Sequence, residues 1–411
     1  MRGWRKKQAL TPNFIFYARC KDGFYMLTWK QKFQRYIKRQ KKKTMQHTLI
    51  ALGITVLLIV LSQVLDSPPK VEEKDDHSLL TISMAGDMLF GRYVDEVVVP
   101  NHGYQSLFQY VRPYLKKSDY ITGNFDQPVT EGEDYPKADK RVHISTKPEI
   151  AKVLKEEGFT TVNLANNHIK DYGKQGLLDT IRVFQNQKVK TVGAGYNIQD
   201  ASTVTYQMIR GIKIATLGFS DILPKDFRAL SDRSGVAPAD PDVFFYDVAK
   251  AKKNADLVIV HMHWGEEYDS NFHPRQQDLG RSLIDAGADI VIGHHPHVLE
   301  PVEVYKHGVI FYSLGNFISD QGWSRTRESA LAQYKVMNGK VNLVIHPLVI
   351  RQGTPRPLTG FGSFYRRERI FMQITDEPVF SKEWSRLWKR EGDALVRTID
   401  LPPKLKAKLA P

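Results

Sequence analysis

Cysteine is almost absent from this 411-residue chain, which contains only Cys20. A single cysteine excludes an intramolecular disulfide, and it also excludes a zinc cluster built from thiolates. Any metal site must therefore use histidine, aspartate, glutamate or asparagine as ligands. Hydrophobic residues make up 42% of the chain, which is enough to build a large core without covalent cross-links.

Acidic residues are nearly missing from the first 46 positions. This segment holds 14 Lys or Arg and only Asp22 as an acid, so it carries +13 of the formal charge of +14. The rest of the chain is close to neutral, which argues against a nucleic-acid surface on the main domain. We expect no nucleic-acid partner, because the basic arm adjoins an apolar segment and anionic lipid accounts for its charge.

Charge is also missing from 18 consecutive residues, Thr48–Leu65, which are mostly apolar. At ~1.5 Å rise per residue, a helix of this length nearly crosses a ~30 Å hydrocarbon core. The sequence predicts a transmembrane helix over 47–65, with the basic arm on the cytoplasmic side and the main domain outside the cell. A buried core helix fits poorly between the basic arm and a polar linker. A cleaved signal peptide would have a short n-region and a small-residue cleavage site, and this sequence shows neither.

We therefore divide the chain into a basic cytoplasmic arm (1–46), a transmembrane helix (47–65), a linker (66–79), a main domain (80–350) and a C-terminal extension (351–411). Met26 is a second candidate for the start of the protein, because a compact basic arm begins there. In the extension, Phe380–Arg397 is predicted to form a helix. The ending LPPKLKAKLAP is predicted to be disordered.

From about Leu79 onward, short apolar runs alternate with helix-like stretches. The runs are rich in Val, Ile, Leu and Thr, as strands buried on both faces are, and they read LLTISMAGD, FTTVNLANNH, KTVGAG, KIATLGFSD, ADLVIVHMHWG, ADIVIGHHPHV and GVIFYSLGNF. Helices are predicted over Glu149–Glu157, Lys174–Gln185 and Arg275–Ala286. This alternation predicts an α/β domain with substantial parallel strand pairing.

Polar residues recur at the ends of five strands. They are Asp87, then Asn124 with Asp126, then Asn166 with Asn167 and His168, then His263, and finally His294, His295 and His297. Because the carboxyl ends of strands in an α/β sheet form its ligand-binding edge, we expect these side chains to converge. Each motif except GHHPH is explained at least as well by a turn, a helix cap or a packed histidine. Their common placement favours a functional site.

These residue types suit a two-metal site. Divalent metals accept carboxylate, amide and imidazole ligands, and two ions ~3.5–4 Å apart need a bridging group. Asp126 is the natural bridge and Asp87 a natural terminal ligand. His295 and His297 are spaced to reach two neighbouring ions, and Pro296 between them restricts the loop.

The motifs GDMLFGR, NLANNH, HWGEEY, GHHPHV and FYSLGNF, in this order, resemble the CapA (PgsA) family, a capsule-biosynthesis branch of the calcineurin-like metallophosphatase superfamily. The resemblance runs from about Leu80 to about Val349, and the membrane anchor with its basic arm also matches. It implies a four-layer αββα sandwich preceded by one transmembrane helix. It also implies work with membrane-bound synthetase subunits in the assembly or export of poly-γ-glutamate.

The resemblance further implies roles for individual residues. Two divalent ions (Mn, Zn, Fe or Mg) would be held by Asp87, Asp126, Asn167, His263, His295 and His297. Asp87 and His297 would bind the first ion, Asp126 would bridge, and the remaining three would bind the second. His168 would act as a general acid, with Asn167 also touching the substrate. Arg92 and Asn124 are candidates for substrate contacts, although ordinary solvated charge explains Arg92 equally well.

The sequence departs from the general superfamily pattern at two points. The usual D-x-H is Asp87-Met88-Leu89 here, so one histidine of the first metal site is missing. The bridging Asp126 lies in GNFD, where the usual motif is GD followed by further residues. GHHPH also aligns in two ways, so His294 is an alternative to His295, and His261 is an alternative near His263. Three functions stay open: a capsule-synthesis component, an active hydrolase of phosphoesters or of the polymer, and a non-catalytic scaffold for polymer or partner.

Overall fold

The computed structural model describes residues 17–18, 25–65, 77–132, 134–375 and 384–410. The chain divides into two compact units, Met1–Ser67 and Pro68–Pro411.

Two helices dominate the described part of the first unit. Its elements are β1 (Tyr17–Ala18), which pairs antiparallel with β2 (Tyr25–Met26), α1 (Trp29–Lys41) and α2 (Thr44–Leu65). Within the described residues, α2 is the one helix that is long and apolar enough to cross a membrane, over Thr44–Leu61. The predicted helix over 47–65 is therefore present. Residues 66–76 of the predicted linker lie outside the described residues.

Two large sheets form the second unit. The larger has, in order across it, β19 (Lys389–Glu391), β20 (Ala394–Asp400), β17 (Lys340–Arg351), β16 (Glu328–Met337), β3 (Leu80–Met88), β4 (Tyr120–Phe125), β5 (Thr161–Asn163) and β6 (Lys190–Val192), with β15 (Asn316–Ile318) beside β3 and β18 (Thr354–Pro357) beside β17. The smaller has β13 (Val302–Tyr305), β14 (Gly308–Phe311), β12 (Ile290–His294), β11 (Leu257–His263), β9 (Ile212–Ser220) and β8 (Thr205–Ile209). A separate antiparallel pair joins β7 (Ala194–Gly195) to β10 (Gly235–Val236).

Helices pack against both sheets. They are α3 (Val99–His102), α4 (Arg112–Lys116), α5 (Glu149–Glu156), α6 (Gly173–Asn186), α7 (Ile198–Ala201), α8 (Pro241–Asn254), α9 (Pro274–Ala286), α10 (Phe364–Thr375) and α11 (Pro403–Lys408). A π-helical turn lies at Val94–Val98, and 3₁₀ turns lie at Tyr104–Phe108, Arg325–Arg327, Phe361–Ser363 and Trp384–Leu387. The three helices predicted within the main domain are confirmed to within one residue at each end.

Three apolar cores separate the layers. Between the sheets, Ile82 of β3 belongs to one core with Ile259 of β11 and Ile292 of β12. A second core joins the larger sheet to α5 and α6, and a third joins the smaller sheet to α8 and α9. The order of layers is therefore helix, sheet, sheet, helix, which confirms the predicted four-layer αββα sandwich.

The C-terminal segment corrects two expectations. The helix predicted over Phe380–Arg397 is wrong for its described part, where a 3₁₀ turn is followed by β19 and β20. The predicted disorder of the last residues is also wrong, because they form α11 and Leu405 is fully buried in the core between the sheets. Short apolar stretches carry too few residues to separate helical from strand periodicity, which explains the first error.

Parallel pairing places the carboxyl ends of the central strands side by side. Asp87 lies opposite Asn124, which lies opposite Asn163, and in the other sheet His263 lies opposite His294. Gly86 lets two backbones approach closely here: a Cβ at this position would lie 1.9 Å from the carbonyl oxygen of Gly315. That approach allows the Asp87 amide to donate to the same carbonyl at 2.9 Å, which fixes the backbone beneath the Asp87 carboxylate.

Candidate metal centre

The ends of both sheets bring acidic residues and histidines into one buried site. Asp87, Asp126 and His297 each place a ligand atom within 4.8 Å of the others, and all three side chains are buried. Asp87 comes from β3, Asp126 follows β4, and His297 follows β12 of the other sheet. Two carboxylates and an imidazole are ligands that divalent metals accept, so this group could hold such an ion.

Asp126 receives no hydrogen bond from the described residues. Both of its carboxylate oxygens are buried, and neither has a hydrogen-bond partner among the described residues. Burial and the nearby charge of Asp87 raise its pKa above the ordinary value. A buried carboxylate without a partner is costly unless a cation accompanies it, and a metal ion at this position would satisfy both oxygens.

Asp87, by contrast, is well supported. Its Oδ1 accepts from the Asn124 amide at 2.8 Å, and its Oδ2 accepts from the His295 backbone at 3.1 Å and lies 3.2 Å from His297 Nδ1. Burial favours the neutral acid. The hydrogen bonds and charges of His294 and His297 outweigh it and hold the pKa of Asp87 well below its usual range. Asp87 is therefore ionised and oriented.

His297 is held between two oxygen acceptors. Its Nδ1 lies 2.9 Å from Asn316 Oδ1 in β15 and close to Asp87. Burial lowers the pKa of His297, but the hydrogen bond to Asp87 and the charges of Asp87 and Asp126 raise it to about 9. Without a metal, this imidazole is therefore a cation that partly neutralises the two carboxylates.

A second group of candidate ligands lies beside the first. His263 Nε2 lies 3.0 Å from the side-chain oxygen of Asn167, and the rings of His263 and His295 are 4.8 Å apart. Burial, then neighbouring histidines, lower the pKa of His295 to about 3 and that of His263 well below normal. Both rings are neutral and each leaves a buried Nδ1 without a hydrogen-bond partner in the described chain. Neutral imidazole is the form that binds metals.

The alternative histidines, His261 and His294, contact each other. His294 Nε2 lies 2.9 Å from His261 Nδ1, and His261 Nε2 lies 2.8 Å from the Thr122 hydroxyl. These two rings stack in the space between the sheets, 5.2 Å apart. His294 Nδ1 also lies 3.5 Å from Asp87 Oδ1 and is buried without a hydrogen-bond partner in the described chain. The ring of His295 adjoins both His263 and His297, so His294 and His295 both face the candidate site.

His168 belongs to a charged network that the sequence reasoning missed. Its Nδ1 lies 2.7 Å from Asp171 Oδ2, and Lys140 Nζ lies 2.7 Å from Asp171 Oδ1. Lys140 also donates to the backbone oxygen of Asn167 at 2.7 Å. The spacing of three residues between His168 and Asp171 was a signal for this pair. Lys140 lies in a distant loop, and no local pattern indicates it.

The two candidate substrate residues lie in different environments. Asn124 is fully buried behind Asp87, and its oxygen accepts from Asn163 at 3.0 Å and from Asn166 at 3.2 Å. Arg92 is partly exposed and forms an ion pair with Asp320. Its positive φ of 56° is a conformation that non-glycine residues adopt rarely. The structure thus places Asn124 against Asp87 in the candidate metal group and leaves Arg92 at the surface.

A four-layer α/β sandwich with a buried carboxylate–histidine group at its strand ends defines a candidate divalent-metal domain. The profile of the bacterial capsule synthesis protein PGA_cap family matches residues 81–321, and the chain belongs to this family. It is similar to the PGA biosynthesis protein CapA of Bacillus subtilis (strain 168), with 45% identity over 386 residues that cover 93% of this chain and 99% of that protein.

Two further similarities extend this comparison. The capsule biosynthesis protein CapA of Bacillus anthracis is 43% identical over 379 residues, covering 90% of each chain. Among solved structures, a 5'-nucleotidase precursor from Thermus thermophilus aligns with a TM-score of 0.38 and 14% identity, over 72% of this chain and 58% of that one. Because this TM-score is low, the layered fold is established by the strand order and the cores described above, and not by this alignment.

Metal binding near neutral pH should release about one proton from His297, because this ring is protonated in the metal-free protein and ligates a metal only when neutral. Titration calorimetry with Mn²⁺ or Zn²⁺ in two buffers of different ionisation enthalpy measures the number of protons. The exposed-site variant His102→Gln should release the same number, and His297→Gln should release fewer. Metal binding without proton release by the unaltered protein would contradict the assignment.

Proposed function

We propose that this protein is a membrane-anchored component of poly-γ-glutamate synthesis or export, with a divalent-metal domain outside the cytoplasm. Membership in a capsule-synthesis family and the names of the two Bacillus relatives support the pathway. The metal part of the proposal depends on one observation: both oxygens of the buried Asp126 lack a partner in the described structure.

Two ions fit the donor set better than one. The first would be held by Asp87, Asp126 and His297, and the second by Asn167, His263 and His295, and Asp126 would be shared by both. Mn, Zn, Fe and Mg all accept such nitrogen and oxygen donors. Bound ions of this kind supply positive charge that holds anionic groups and polarises oxygen atoms.

The chain's own residues prepare the site. Asn124 donates to Asp87 and fixes the carboxylate that would bind the first ion, which is a positioning role rather than a substrate contact. Asp171 accepts from His168 Nδ1 and sets the orientation of that ring. Lys140 ties the same carboxylate to the Asn167 backbone, so the candidate ligand and the candidate acid are held by one network.

The variant Asp126→Asn should separate metal binding from folding. In metal-free protein it removes a buried charge without a partner, so the free energy of unfolding should stay equal or rise. The unaltered protein should gain about 2.7 kcal/mol at metal near 100-fold above its Kd, and the variant should gain little. Thermal unfolding with and without Mn²⁺ measures the stability and its gain on metal binding. Polymer output from cells measures the effect on capsule synthesis.

Asp232→Asn is the matched control, because Asp232 lies exposed in a turn of the same domain. It should respond to metal as the unaltered protein does and should support normal capsule. An Asp126→Asn variant that still gains full metal stabilisation would remove the basis of the proposed centre.

We propose that α2 crosses the cell membrane, with α1 in the cytoplasm and the main domain outside. The apolar side chains of α2 are exposed along Thr44–Leu61, and lipid is the environment that suits them. α1 carries basic residues in its last turn, next to the membrane, as cytoplasmic flanks do. The partners would be the bilayer, membrane-bound synthetase subunits and the polymer, with no nucleic acid.

Single-cysteine labelling tests this orientation. In a Cys20→Ser background, a membrane-impermeant maleimide should label Tyr246→Cys in intact cells, because this side chain is 71% exposed on α8. Gln34→Cys on α1 should react only after the membrane is permeabilised. Labelling of Gln34→Cys in intact cells would reverse the proposed topology.

A second candidate function is hydrolysis of a phosphoester or of the polymer. The His168–Asp171 pair favours it, because a carboxylate 2.7 Å from Nδ1 orients the ring, as a general acid beside a leaving group requires. Metal binding alone does not require this pair. In this role, Asn167 and His168 would contact the substrate.

If the protein is a hydrolase, His168→Ala should lower kcat by about 10²–10⁴-fold while metal content stays unchanged. Asn167→Ala should lower both turnover and metal content. Release of nitrophenol from an aryl phosphate and shortening of poly-γ-glutamate, each with added Mn²⁺ or Zn²⁺, measure the two reactions. Turnover that survives both substitutions would not come from this site and would indicate contamination. If the unaltered protein shows no turnover, the binding scaffold remains as the function.

A further inference from the structure

Helix α1 carries an apolar face that the described chain leaves uncovered. Positions 29, 33, 36 and 37 lie on one side of the helix, because they follow its spacing of three and four residues per turn. They are Trp29, Phe33, Tyr36 and Ile37, and all four side chains are exposed. The rings of Trp29 and Phe33 are stacked, with their centroids 5.6 Å apart. A contiguous exposed apolar face of this kind marks a contact with a membrane or with another protein.

The remaining surface of α1 is basic, and neither helix of this unit supplies an acid. α1 carries six basic residues, which are Lys30, Lys32, Arg35, Lys38, Arg39 and Lys41. No Asp or Glu occurs from position 29 to position 65, so α1 and α2 contain no carboxylate that could balance this charge. An aromatic face beside a lysine-rich face is typical of helices that lie in the plane of a membrane with anionic lipids.

A cavity of about 420 Å³ lies in the angle between α1 and α2. Its lining comes from the end of α1 and the first two turns of α2, and consists of Tyr36, Ile37, Gln40, Lys41, Thr44, His47, Thr48 and Ala51. The turn between the helices is held by backbone hydrogen bonds, from the Lys43 amide to the Gln40 carbonyl at 2.9 Å and from the His47 amide to the Lys43 carbonyl at 3.0 Å. Because Tyr36 and Ile37 line this angle, the apolar face of α1 lies on the same side as α2.

The cavity offers hydrogen-bond donors near the turn. The hydroxyl of Thr44 donates to the Lys41 carbonyl at 2.7 Å, and that of Thr48 donates to the Thr44 carbonyl at 3.0 Å. These hydroxyl protons are therefore used within the chain. The ammonium of Lys41, the amide of Gln40 and the ring of His47 are the lining groups that can donate to a ligand. Such a set suits a singly charged oxyanion such as a phosphodiester.

The other lining residues suit an apolar chain attached to that anion. Ile37 and Ala51 lie further from the turn, one on each helix. Beyond Ala51, the apolar side chains of α2 are exposed along the segment that is long enough to cross a membrane. A ligand with a charged head and an acyl tail could therefore place its head against Lys41 and its tail along α2.

We propose that this cavity binds the phosphate headgroup of an anionic phospholipid, and that α1 lies in the plane of the membrane with its apolar face below the headgroups. A bilayer suits the site better than a protein partner, because the cavity is continuous with the apolar surface of α2. The assignment to the cytoplasmic leaflet rests on the proposed topology. The choice of an anionic lipid rests on the basic residues and on the donors in the cavity.

Native mass spectrometry of the full-length protein in a neutral detergent tests the headgroup site. The unaltered protein should retain phosphatidylglycerol more tightly than phosphatidylcholine. Lys41→Gln should weaken retention of phosphatidylglycerol about fivefold, which is the contribution of about one basic group beside an anionic lipid. Retention of phosphatidylcholine should not change. Equal retention of the two lipids by the unaltered protein would contradict the proposal.

Lys38→Gln is the matched charge control, because it removes the same charge from α1 at a position that does not line the cavity. Its retention of phosphatidylglycerol should stay within about twofold of that of the unaltered protein. Equal weakening by Lys38→Gln and Lys41→Gln would show a diffuse attraction of the whole basic arm and would overturn the site.

A second pair of variants tests the cavity without changing the charge. Ala51→Phe places a large side chain in the cavity and should weaken retention of phosphatidylglycerol, whereas Ile50→Phe changes a neighbour outside the lining and should not. Free glycerol 3-phosphate at the same concentration should not displace the lipid, because it has no acyl chain to lie along α2. Full retention by Ala51→Phe, or displacement by glycerol 3-phosphate, would overturn a lipid site.

Spin labels test the position of α1 in nanodiscs that contain phosphatidylglycerol. In a Cys20→Ser background, a nitroxide at Phe33→Cys should be more accessible to oxygen than to a water-soluble nickel complex, and one at Gln34→Cys should show the reverse. Equal accessibility at the two positions would show that α1 does not lie in the membrane plane. Neither the lipid nor the spin-label measurement depends on which end of α2 faces the cytoplasm, so a reversed topology would leave both results unchanged.

Discussion

Two carboxylates, Asp87 and Asp126, share one buried site, and the surrounding structure treats them unequally. Asp87 receives an amide, a backbone N–H and the charge of His297, so its ionised form is stable. Asp126 receives no hydrogen bond from the described chain, and the negative charge of Asp87 raises its pKa further than burial does alone. A protein that only needed to fold would gain by pairing or replacing Asp126, so its bare oxygens are best explained by a cation.

This constraint shapes the edges of both sheets. The two carboxylates come from one sheet and the histidines from the other, so the ligands meet only if the sheets pack closely at their carboxyl ends. Within the smaller sheet, Gly293 lets β12 lie close to the residue after β14, where a Cβ would lie 1.8 Å from the Tyr312 carbonyl oxygen. The stacked rings of His261 and His294 fill the space between the sheets just below the ligands. The metal centre thus depends on the same contacts that form the central core.

The parallel half of the domain was readable from sequence, because continuous apolar runs followed by Asp, Asn or His mark buried strands that end at a ligand-binding edge. The antiparallel strands β16–β20 were not, since their residues alternate weakly and their partners lie far along the chain. Asp171 had a local signal in its spacing from His168. Lys140 had none, because it reaches the site from a segment whose position is set only by tertiary packing. Asn316 lies in the FYSLGNF motif, but that motif did not indicate its contact with His297.

Whether the domain turns over a substrate depends on His168 more than on the candidate metal group. Asp171 has a structural reason to be buried, since its carboxylate also accepts from the Ile144 backbone at 2.9 Å and holds the loop that carries Lys140. A scaffold would need that contact. It would not need the ring of His168 beside the candidate ligand Asn167. The loop accounts for the positions of Asp171 and Lys140. Proton transfer is the simplest explanation for the position of the His168 imidazole.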